Sequence, residues 1–349
     1  MNEPLLFQRY PRLRNIPWVS LATLPTPVQP LELTLADGVQ AWIKRDDLTS
    51  PVYGGNKIRK LEFLLAQARA RGAQRLITAG ACGSHHALAT AVFGRQLDFA
   101  VSLVLFPQPL TPQVRQVLLT DQALGAELRY TRRMTMVPTA LIGARLAHWR
   151  ERTFGIPPGG SNVTGALGYV NAPLELGQQV EQGELPVPDI IVVAAGTLGT
   201  AAGIAVGLTL LDLPTRVIAP RITSRLVANE RALQAQIRAL CAALQQRAVS
   251  VDSEAALKRV TLTHDQVGAG YGQATAEAEQ AQVRFAQAGI KLDITYTAKA
   301  AASFLSLPDG RQHTRLLFWH TLSASMPVVA LPAPDALPAA FREYLSRAS

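Results

Sequence analysis

The run at residues 190–195, Ile-Ile-Val-Val-Ala-Ala, constrains the fold more than any other stretch, because it is strongly apolar and contains no charge. Such a run is typical of a strand in a parallel sheet, where both faces of the strand are buried. A glycine-rich turn and an alanine-rich helical pattern follow it directly. Other short apolar runs alternate with helical patterns along the chain. The sequence therefore predicts an α/β fold with open, twisted parallel sheets in three-layer domains.

This alternation predicts an approximate position for each element. Predicted strands lie at residues 39–43, 75–79, 99–106, around 128, 190–195, 216–222 and 316–320. Predicted helices begin near residues 57, 84, 112, 139, 165 and 200, and others end near 247, 288 and 347, the last with Asp335 as its N-cap. Residues 1–40 are rich in proline and are predicted to form an irregular arm. With 349 residues, the chain is long enough for about two domains.

Composition argues against several classes of protein. No window approaches the roughly 18 consecutive apolar residues of a membrane span, and the first residues lack the order of a signal peptide. The two cysteines, Cys82 and Cys241, predict a reducing, cytoplasmic environment without a disulfide framework. The net charge of +9 comes from scattered arginines without a nucleic-acid-binding signature, and the six histidines lack metal-ligand spacing. We therefore expect no nucleic acid, no membrane and no metal.

The first candidate for chemistry is Tyr-Gly-Gly-Asn-Lys-Ile-Arg-Lys-Leu-Glu at residues 53–62. Its glycines predict a tight turn, and Asn56 is a suitable N-cap for the amphipathic helix that follows. Lys57 and Lys60 then lie near the helix N-terminus, where the helix dipole disfavours cations. This placement indicates either an anionic ligand or a lysine that loses its proton and attacks a carbonyl. A solvated basic face is the alternative.

A second candidate loop follows the strand at residues 190–195. It consists of Gly196, Thr197, Leu198, Gly199 and Thr200. A glycine-rich turn from strand to helix can surround a phosphate with backbone N–H groups and hydroxyls. The loop lacks the Gly-Lys-Ser/Thr of a P-loop and the glycine spacing of a dinucleotide fingerprint. A small phosphorylated ligand is therefore favoured over ATP or NAD, and tight packing without a ligand is the alternative.

A third candidate loop contains Ser84, His85 and His86, again between a predicted strand and a helix. Its hydroxyl and backbone N–H groups can bind a carboxylate. Alternatively, Ser84 is only an N-cap, and the two histidines are ordinary surface or core residues.

A lysine that can form a Schiff base, together with a separate phosphate loop, indicates pyridoxal phosphate, because its aldehyde requires the first and its phosphate the second. Longer motifs resemble the pyridoxal-phosphate-dependent D-cysteine desulfhydrase and 1-aminocyclopropane-1-carboxylate (ACC) deaminase family. They are Lys-Arg-Asp-Asp-Leu-Thr at 44–49, Gly-Gly-Asn-Lys at 54–57, Pro-Pro-Gly-Gly-Ser-Asn at 157–162, Gly-Ala-Leu-Gly-Tyr-Val at 165–170, Gly-Tyr-Gly at 270–272, Asp at 293 with Tyr-Thr-Ala-Lys at 296–299, and His-Thr at 320–321. The resemblance extends over about residues 17–330.

The resemblance implies a tryptophan-synthase-β-like fold (fold type II), with a large cofactor-binding domain at residues 1–56 and 163–349 and a smaller inserted domain at 57–162. It implies that Lys57 forms the Schiff base and moves the substrate's α-proton. The implied cofactor ligands are Lys57, Asn56, Lys60, His85, Gly196, Thr197, Leu198, Gly199, Thr200 and Thr321, with Thr321 facing the pyridine nitrogen. The implied substrate ligands are Ser84, His85, His86, Tyr271 and Tyr296. Among them, Ser84, Tyr271 and Tyr296 are also expected to take part in catalysis.

Thr297 separates the two branches of this family, because the deaminase branch has Tyr-Glu-Gly-Lys where this chain has Tyr-Thr-Ala-Lys. The resemblance thus implies a homodimeric lyase that eliminates a β-substituent from a small amino acid, as when D-cysteine is converted to pyruvate, sulfide and ammonia. The alternatives are ACC deamination, another leaving group or β-replacement, and a cofactor-binding paralogue without turnover. The chain departs from the usual family residues at His85, Leu88, Leu198, Ala298 and residues 322–323.

Overall fold

The computed structural model describes residues 3–307 and 314–346. The chain divides into two compact units. The first contains Met1–Ile16, Ala22–Lys60 and Ser161–Ser325, and the second contains Pro17–Leu21, Leu61–Gly160 and Met326–Ser349. Residues 326–349 thus belong to the second unit, whereas the expected domain limits assign them to the larger domain. Those limits stay a prediction.

Strands and helices alternate through most of the described chain. The strands are Val28–Pro30 (β1), Gln40–Lys44 (β2), Arg75–Ala81 (β3), Ala100–Phe106 (β4), Glu127–Tyr130 (β5), Thr153–Gly155 (β6), Ile190–Val192 (β7), Arg216–Pro220 (β8), Val260–Thr263 (β9) and Arg315–Trp319 (β10). The helices are Leu5–Arg9 (α1), Asn56–Ala70 (α2), His85–Gln96 (α3), Pro112–Ala123 (α4), Val137–Ala147 (α5), Val163–Glu181 (α6), Gly199–Leu210 (α7), Glu230–Gln245 (α8), Ser253–Arg259 (α9), Ala276–Gln287 (α10), Thr297–Ser306 (α11) and Ala339–Ser346 (α12).

The first unit contains a six-stranded sheet in the order β1-β2-β10-β7-β8-β9. All neighbouring strands are parallel except β1 and β2. The apolar run predicted to be a doubly buried strand provides β7, whose three residues are all buried. Next to it, Phe318 of β10 packs edge-on against Phe285 and Phe304, with ring centroids 4.9 and 5.6 Å away.

The second unit contains a four-stranded, entirely parallel sheet in the order β5-β4-β3-β6. On one face, Ile77 and Ala79 of β3 and Val104 of β4 pack with Val137 and Ala144 of α5. The predicted α/β class is therefore confirmed in both units. Within the described ranges, none of the helices combines the length and apolar character needed to cross a bilayer.

Residues 1–40 are not the irregular arm predicted from their prolines, since they contain α1 and β1. β1 pairs antiparallel with β2, with Val28 opposite Lys44 and Pro30 opposite Trp42. Proline cannot donate a backbone hydrogen bond, so it is tolerated in an edge strand such as this one. The prediction failed because a short edge strand does not need the long apolar run of a central strand.

Several element boundaries also differ from the prediction. The segment 253–263, to which the pattern assigned no element, contains α9 and β9, both too short for a clear periodic pattern. α5, which the sequence predicts from about residue 139 to 152, ends at Ala147, and β6 begins at Thr153. Asp335 lies in a short 3-10 turn and is not the N-cap of α12, which begins at Ala339. The predicted end of that helix near residue 347 lies outside the described residues.

Candidate active site

A network of buried charges holds the first turns of α2, the helix that carries Lys57. We call it the Arg59 network, and its members are Thr26, Lys44, Asp46, Arg59, Tyr169, Glu175, Gln179 and Trp319. Arg59 is fully buried and pairs with Asp46 at 2.7 Å and Glu175 at 2.9 Å. A side chain at Gly168 of α6 would overlap the Arg59 carbonyl, so this close approach of the two helices requires glycine.

In the Arg59 network, the two basic side chains face the two carboxylates. Burial alone would lower the pKa of Arg59, but the attraction of Asp46 and Glu175 outweighs it and raises that pKa well above its usual value. Burial alone would raise the pKa of Glu175, but Arg59 and Lys44 lower it to about 2. Arg59 and Glu175 are therefore both charged at neutral pH and face each other as an ion pair.

Lys57 and Lys60 lie in the same turns of α2 as Arg59, but in a very different environment. Part of the Lys57 side chain remains accessible to solvent, yet the surrounding protein, only partly opposed by Asp293, lowers its pKa to about 8. Burial and the repulsion of Lys57 lower the pKa of Lys60 well below its usual value. Each lysine can thus lose its proton and become a neutral amine at a lower pH than a lysine exposed to water.

Lys60 lies beside the loop predicted to bind phosphate. Its Nζ donates to Ser161 Oγ at 3.1 Å, and Ser161 Oγ lies 2.7 Å from Thr197 Oγ1. On the other side, Asn56 Nδ2 donates to Thr200 Oγ1 at 3.2 Å. A lysine amine, an amide and three hydroxyls thus surround the turn at residues 196–200.

The backbone of this turn is unusual at Leu198, which adopts a left-handed conformation with φ of 69°. Glycine is favoured in this conformation, so the leucine strains the turn. A Cβ at Gly199 would lie 2.7 Å from Ser161 Oγ, and a Cβ at Gly196 would lie 2.9 Å from the ring of Tyr296. Both glycines therefore keep the turn open next to those side chains.

Tyr271 and Tyr296 lie together in the first unit, with their hydroxyls 2.8 Å apart. Burial raises the pKa of Tyr271 to about 12 and that of Tyr296 well above its usual value. Asp293 fixes the turn before Tyr296, because its Oδ2 accepts from the Tyr296 N–H at 2.8 Å. Both phenols therefore remain protonated at neutral pH.

Thr321 and the start of α2 are joined through the backbone. The Asn56 N–H donates to the Thr321 carbonyl at 3.1 Å, and a Cβ at Gly55 would lie only 2.7 Å from that oxygen. Gly55 has φ of 86°, so both its conformation and its close contact favour glycine. Asn56, predicted to be the N-cap, is instead the first residue of α2.

Ser84, His85 and His86 lie in the second unit. Ser84 is the N-cap of α3 and accepts from the Ala87 N–H at 3.2 Å. His86 points inwards: its Nε2 lies 2.9 Å from Thr78 Oγ1, which donates to the Ile156 carbonyl. Because that hydroxyl uses its proton on Ile156, Nε2 of His86 is the donor in this pair. His85 Nε2 lies 3.4 Å from Gln113 Nε2.

Sequence reasoning missed four residues of the first unit that touch or perturb the predicted site. Ser161 joins Lys60 to Thr197, and Asp293 orders Tyr296 and acts on Lys57. Both lie within the quoted family motifs, which was the signal that could have found them. Thr223 and Gln236 support the turn by donating to the carbonyls of Gly196 and Thr197, at 2.7 and 3.1 Å. Nothing in their local sequence indicated this.

The described residues of the first unit fit a phosphate ester that carries an aldehyde. Lys57 supplies the amine, and Lys60, Ser161, Thr197 and Thr200 supply a cation and hydroxyls for the phosphate. The first N–H groups of α7 add donors that have no acceptor within the helix. The individual roles of these residues stay predictions.

Comparison with known proteins also indicates an enzyme that binds pyridoxal phosphate. The family described as "Pyridoxal-phosphate dependent enzyme" matches residues 19–321. A D-cysteine desulfhydrase of Klebsiella pneumoniae is 37% identical over 325 residues, which cover 88% of this chain and 94% of that protein. A putative ACC deaminase of Pyrococcus furiosus is 33% identical over 328 residues, which cover 90% of this chain and 93% of that protein.

Solved structures share the fold. The crystal structure of an ACC deaminase homologue superposes with a TM-score of 0.77 at 32% identity, over 93% of this chain and 96% of that chain. A hydrogen sulfide-producing enzyme from Fusobacterium nucleatum superposes with a TM-score of 0.59 at 14% identity, over 86% of this chain and 95% of that chain. These matches confirm the predicted fold type II architecture.

Proposed function

The chain belongs to the family of pyridoxal-phosphate-dependent enzymes, and we propose that it eliminates the β-substituent of a small amino acid, with D-cysteine as its substrate. The observation that carries this proposal is the Lys57 amine, whose pKa is lowered to about 8 and which follows Asn56, a donor to Thr200 of the hydroxyl-rich turn. An amine of this kind attacks an aldehyde readily and can also take up a proton. Conversion of D-cysteine would yield pyruvate, sulfide and ammonia.

Pyridoxal phosphate, when bound, supplies a ring that stabilises negative charge at the substrate's Cα. In the proposal, Lys57 binds its aldehyde carbon, and Lys60, Ser161, Thr197 and Thr200 bind its phosphate. The turn at residues 196–200 and Asn56 keep these groups oriented. Thr321 would present a neutral hydroxyl to the pyridine nitrogen, which suits a reaction in which a leaving group removes the charge.

Protons are moved by this chain's own side chains. Lys57 Nζ takes the substrate's α-proton, because its lowered pKa leaves a large neutral fraction just above neutral pH. Tyr271 and Tyr296 keep their protons at that pH, so they donate to the departing sulfur rather than take protons. Ser84 and the N–H groups of His85 and His86 bind the substrate carboxylate.

Thr297 supports the desulfhydrase activity over ACC deamination. Its buried hydroxyl donates to Asp293 Oδ1 at 2.7 Å and accepts from the Asp293 N–H at 2.8 Å. The side chain therefore serves the turn before α11 and brings no carboxylate, unlike the glutamate of the deaminase branch. ACC remains the second candidate substrate, because the Pyrococcus furiosus relative carries the deaminase name.

We further propose that the enzyme acts as a homodimer in the cytoplasm. Cys82 and Cys241 are both free and buried, which fits a reducing compartment. The small-molecule site and the absence of a nucleic-acid-binding signature support an amino acid as the partner. Sedimentation velocity of the purified enzyme measures the subunit number, and a monomer would contradict the dimer.

The experiment that tests the function compares the wild type, Lys57→Ala and the exposed-lysine control Lys258→Ala. We expect a visible absorption band of bound cofactor in the wild type and in Lys258→Ala, and none in Lys57→Ala. With D-cysteine, the first two should release sulfide and pyruvate. Sulfide release by Lys57→Ala should be slower by about a thousandfold or more. The reason is that the amine that binds the cofactor and removes the substrate's α-proton is lost.

The other outcomes separate the alternatives. A wild-type band that shifts with D-cysteine but yields no sulfide would indicate another leaving group or a binding protein without turnover. A keto acid formed from ACC, with no sulfide from D-cysteine, would favour the deaminase. Absence of any cofactor band after pyridoxal phosphate is supplied would overturn the proposed function.

A further inference from the structure

In the second unit, the C-terminal helix α12 reaches the segment that follows β4. Tyr344 Oη donates to the Gln108 carbonyl at 2.7 Å. The helix is held there by aromatic contacts with Tyr130, whose ring centroid lies 5.3 Å from that of Phe341 and 6.5 Å from that of Tyr344. Burial raises the pKa of Tyr344 well above its usual value, so its hydroxyl remains a donor over the whole working range of pH.

Gln108 in turn contacts the turn between β3 and α3. The Gly83 N–H donates to Gln108 Oε1 at 3.3 Å, and the preceding Cys82 N–H donates to the Phe106 carbonyl at 2.9 Å. A Cβ at Gly83 would lie 3.0 Å from Gln108 Nε2 and 2.8 Å from Val114 Cγ2. The amide of Gln108 is therefore packed directly against the backbone of the turn.

The turn leads straight into Ser84. Ser84 follows Gly83 in the chain and caps α3, and a side chain at Gly80 would overlap its hydroxyl. A shift of Gly83 is therefore transmitted to the Ser84 hydroxyl and to the first N–H groups of α3. These are the groups assigned above to the substrate carboxylate.

We infer that Tyr344 and Gln108 are positioning residues for this carboxylate-binding turn, so that the C-terminal helix controls how tightly the enzyme binds its substrate. The inference rests on the proposed function for the role of Ser84, but not for the connection between α12 and the turn. Tyr344 acts through Gln108 and Gly83, and it neither carries nor moves a proton in the reaction.

The test uses Tyr344→Phe, which removes one hydroxyl and keeps the ring that packs on Tyr130. Tyr10→Phe, a hydroxyl deletion in the first unit, is the matched control. In hydrogen exchange of the holoenzyme, the peptide covering residues 82–88 should exchange faster in Tyr344→Phe than in the wild type or the control. With D-cysteine, KM should rise about fivefold, as expected for one lost hydrogen bond, while kcat stays within about twofold.

A second variant tests the connection itself. Gln108→Leu keeps the carbonyl that Tyr344 binds but removes the amide oxygen that Gly83 binds, so it should raise KM and exchange at 82–88 in the same way. The double variant should be no worse than the more severe single variant, because both substitutions break one chain of contacts. Fully additive effects would contradict the proposed chain.

The outcomes distinguish this inference from the proposed function. Unchanged exchange at residues 82–88 in Tyr344→Phe, or faster exchange spread evenly over the second unit, would overturn the positioning role whatever the substrate is. A change in kcat with KM unchanged would also overturn it. If the wild type fails to turn over D-cysteine but local exchange still responds, the proposed function falls and the connection from α12 to the turn is supported.

Discussion

Arg59 and Lys57 lie two residues apart in α2, yet their surroundings move their pKa values in opposite directions. Asp46 and Glu175 overcome the effect of burial on Arg59 and raise its pKa. Around Lys57 the effect of burial exceeds the attraction of Asp293 and lowers the pKa to about 8. The difference shows how one helical segment can serve two purposes. Carboxylates face the cation that holds the fold, while hydroxyls and an amide surround the lysines that meet a ligand.

Of the substitutions that test this difference, Arg59→Met is expected to change the free energy of unfolding most. This substitution leaves Asp46 and Glu175 buried without their cation, so we expect a loss of about 3–5 kcal/mol in the free energy of unfolding. Urea denaturation of the cofactor-free protein measures it. Arg69→Met, at an exposed position of the same helix, should change the free energy by less than about 0.5 kcal/mol. Equal losses in the two variants would remove the distinction between the Arg59 network and an ordinary surface arginine.

Lys60→Met should produce the next largest effect, on ligand binding rather than on folding. Loss of a charged donor at the phosphate is expected to weaken pyridoxal phosphate binding by about 2 kcal/mol, or roughly thirtyfold. Absorbance titration of the cofactor-free protein measures this affinity. Its free energy of unfolding should stay level or rise, because a buried cation is removed.

Ser161→Ala serves as the comparison for Lys60→Met. It removes a neutral hydroxyl from the same contact, so the affinity should fall by about fivefold. A loss of stability in Lys60→Met comparable to that of Arg59→Met would show that Lys60 stabilises the fold as Arg59 does.

The smallest effect is a pH dependence that belongs to Lys57. Its pKa is lower in the folded protein than in the unfolded chain, so the unfolded chain binds more protons between about pH 8 and 10.5. The stability of the cofactor-free protein should therefore rise with pH across this range. Below pH 8, the destabilisation caused by the charged Lys57 is fully present. Lys57→Met should be more stable than the wild type by about 1–2 kcal/mol at pH 7, after allowance for its partial exposure.

That advantage should shrink towards zero as the pH approaches 10.5. Denaturation of both proteins at pH 7 and pH 10 measures the difference. A constant difference between the two proteins at both pH values would mean that the Lys57 pKa is not shifted by the fold.

Much of the fold could be predicted because it depends on local patterns. The uncharged run at residues 190–195 predicted a doubly buried strand, and the strand-to-helix turns marked the second and third candidate loops. Thr111 is the N-cap of α4, and Pro112 its first residue, as the sequence indicates. β1, α9 and β9 were missed because short elements depend on neighbours that are distant in the sequence.

The site was less predictable for the same reason. The local sequence around Lys57 indicated an amine beside an anion, and the separate glycine turn indicated a phosphate. However, the link from Lys60 through Ser161 to Thr197 spans more than a hundred residues, and no local pattern reveals it. The Arg59 network is also non-local: Lys44 and Asp46 stood in a recognised motif, but their partner Glu175 lies more than a hundred residues further on.

The second unit is assembled from three separate pieces of the chain, and the last of them carries Tyr344. During synthesis, the turn at Gly83 emerges from the ribosome about 260 residues before the hydroxyl that anchors Gln108. At roughly 5–20 residues per second, this amounts to a wait of about 13–50 s. A chain that stops before α12 contains every strand of both described sheets but lacks the hydroxyl that binds the Gln108 carbonyl. Synthesis of α12 is therefore the step that completes the contacts of this turn.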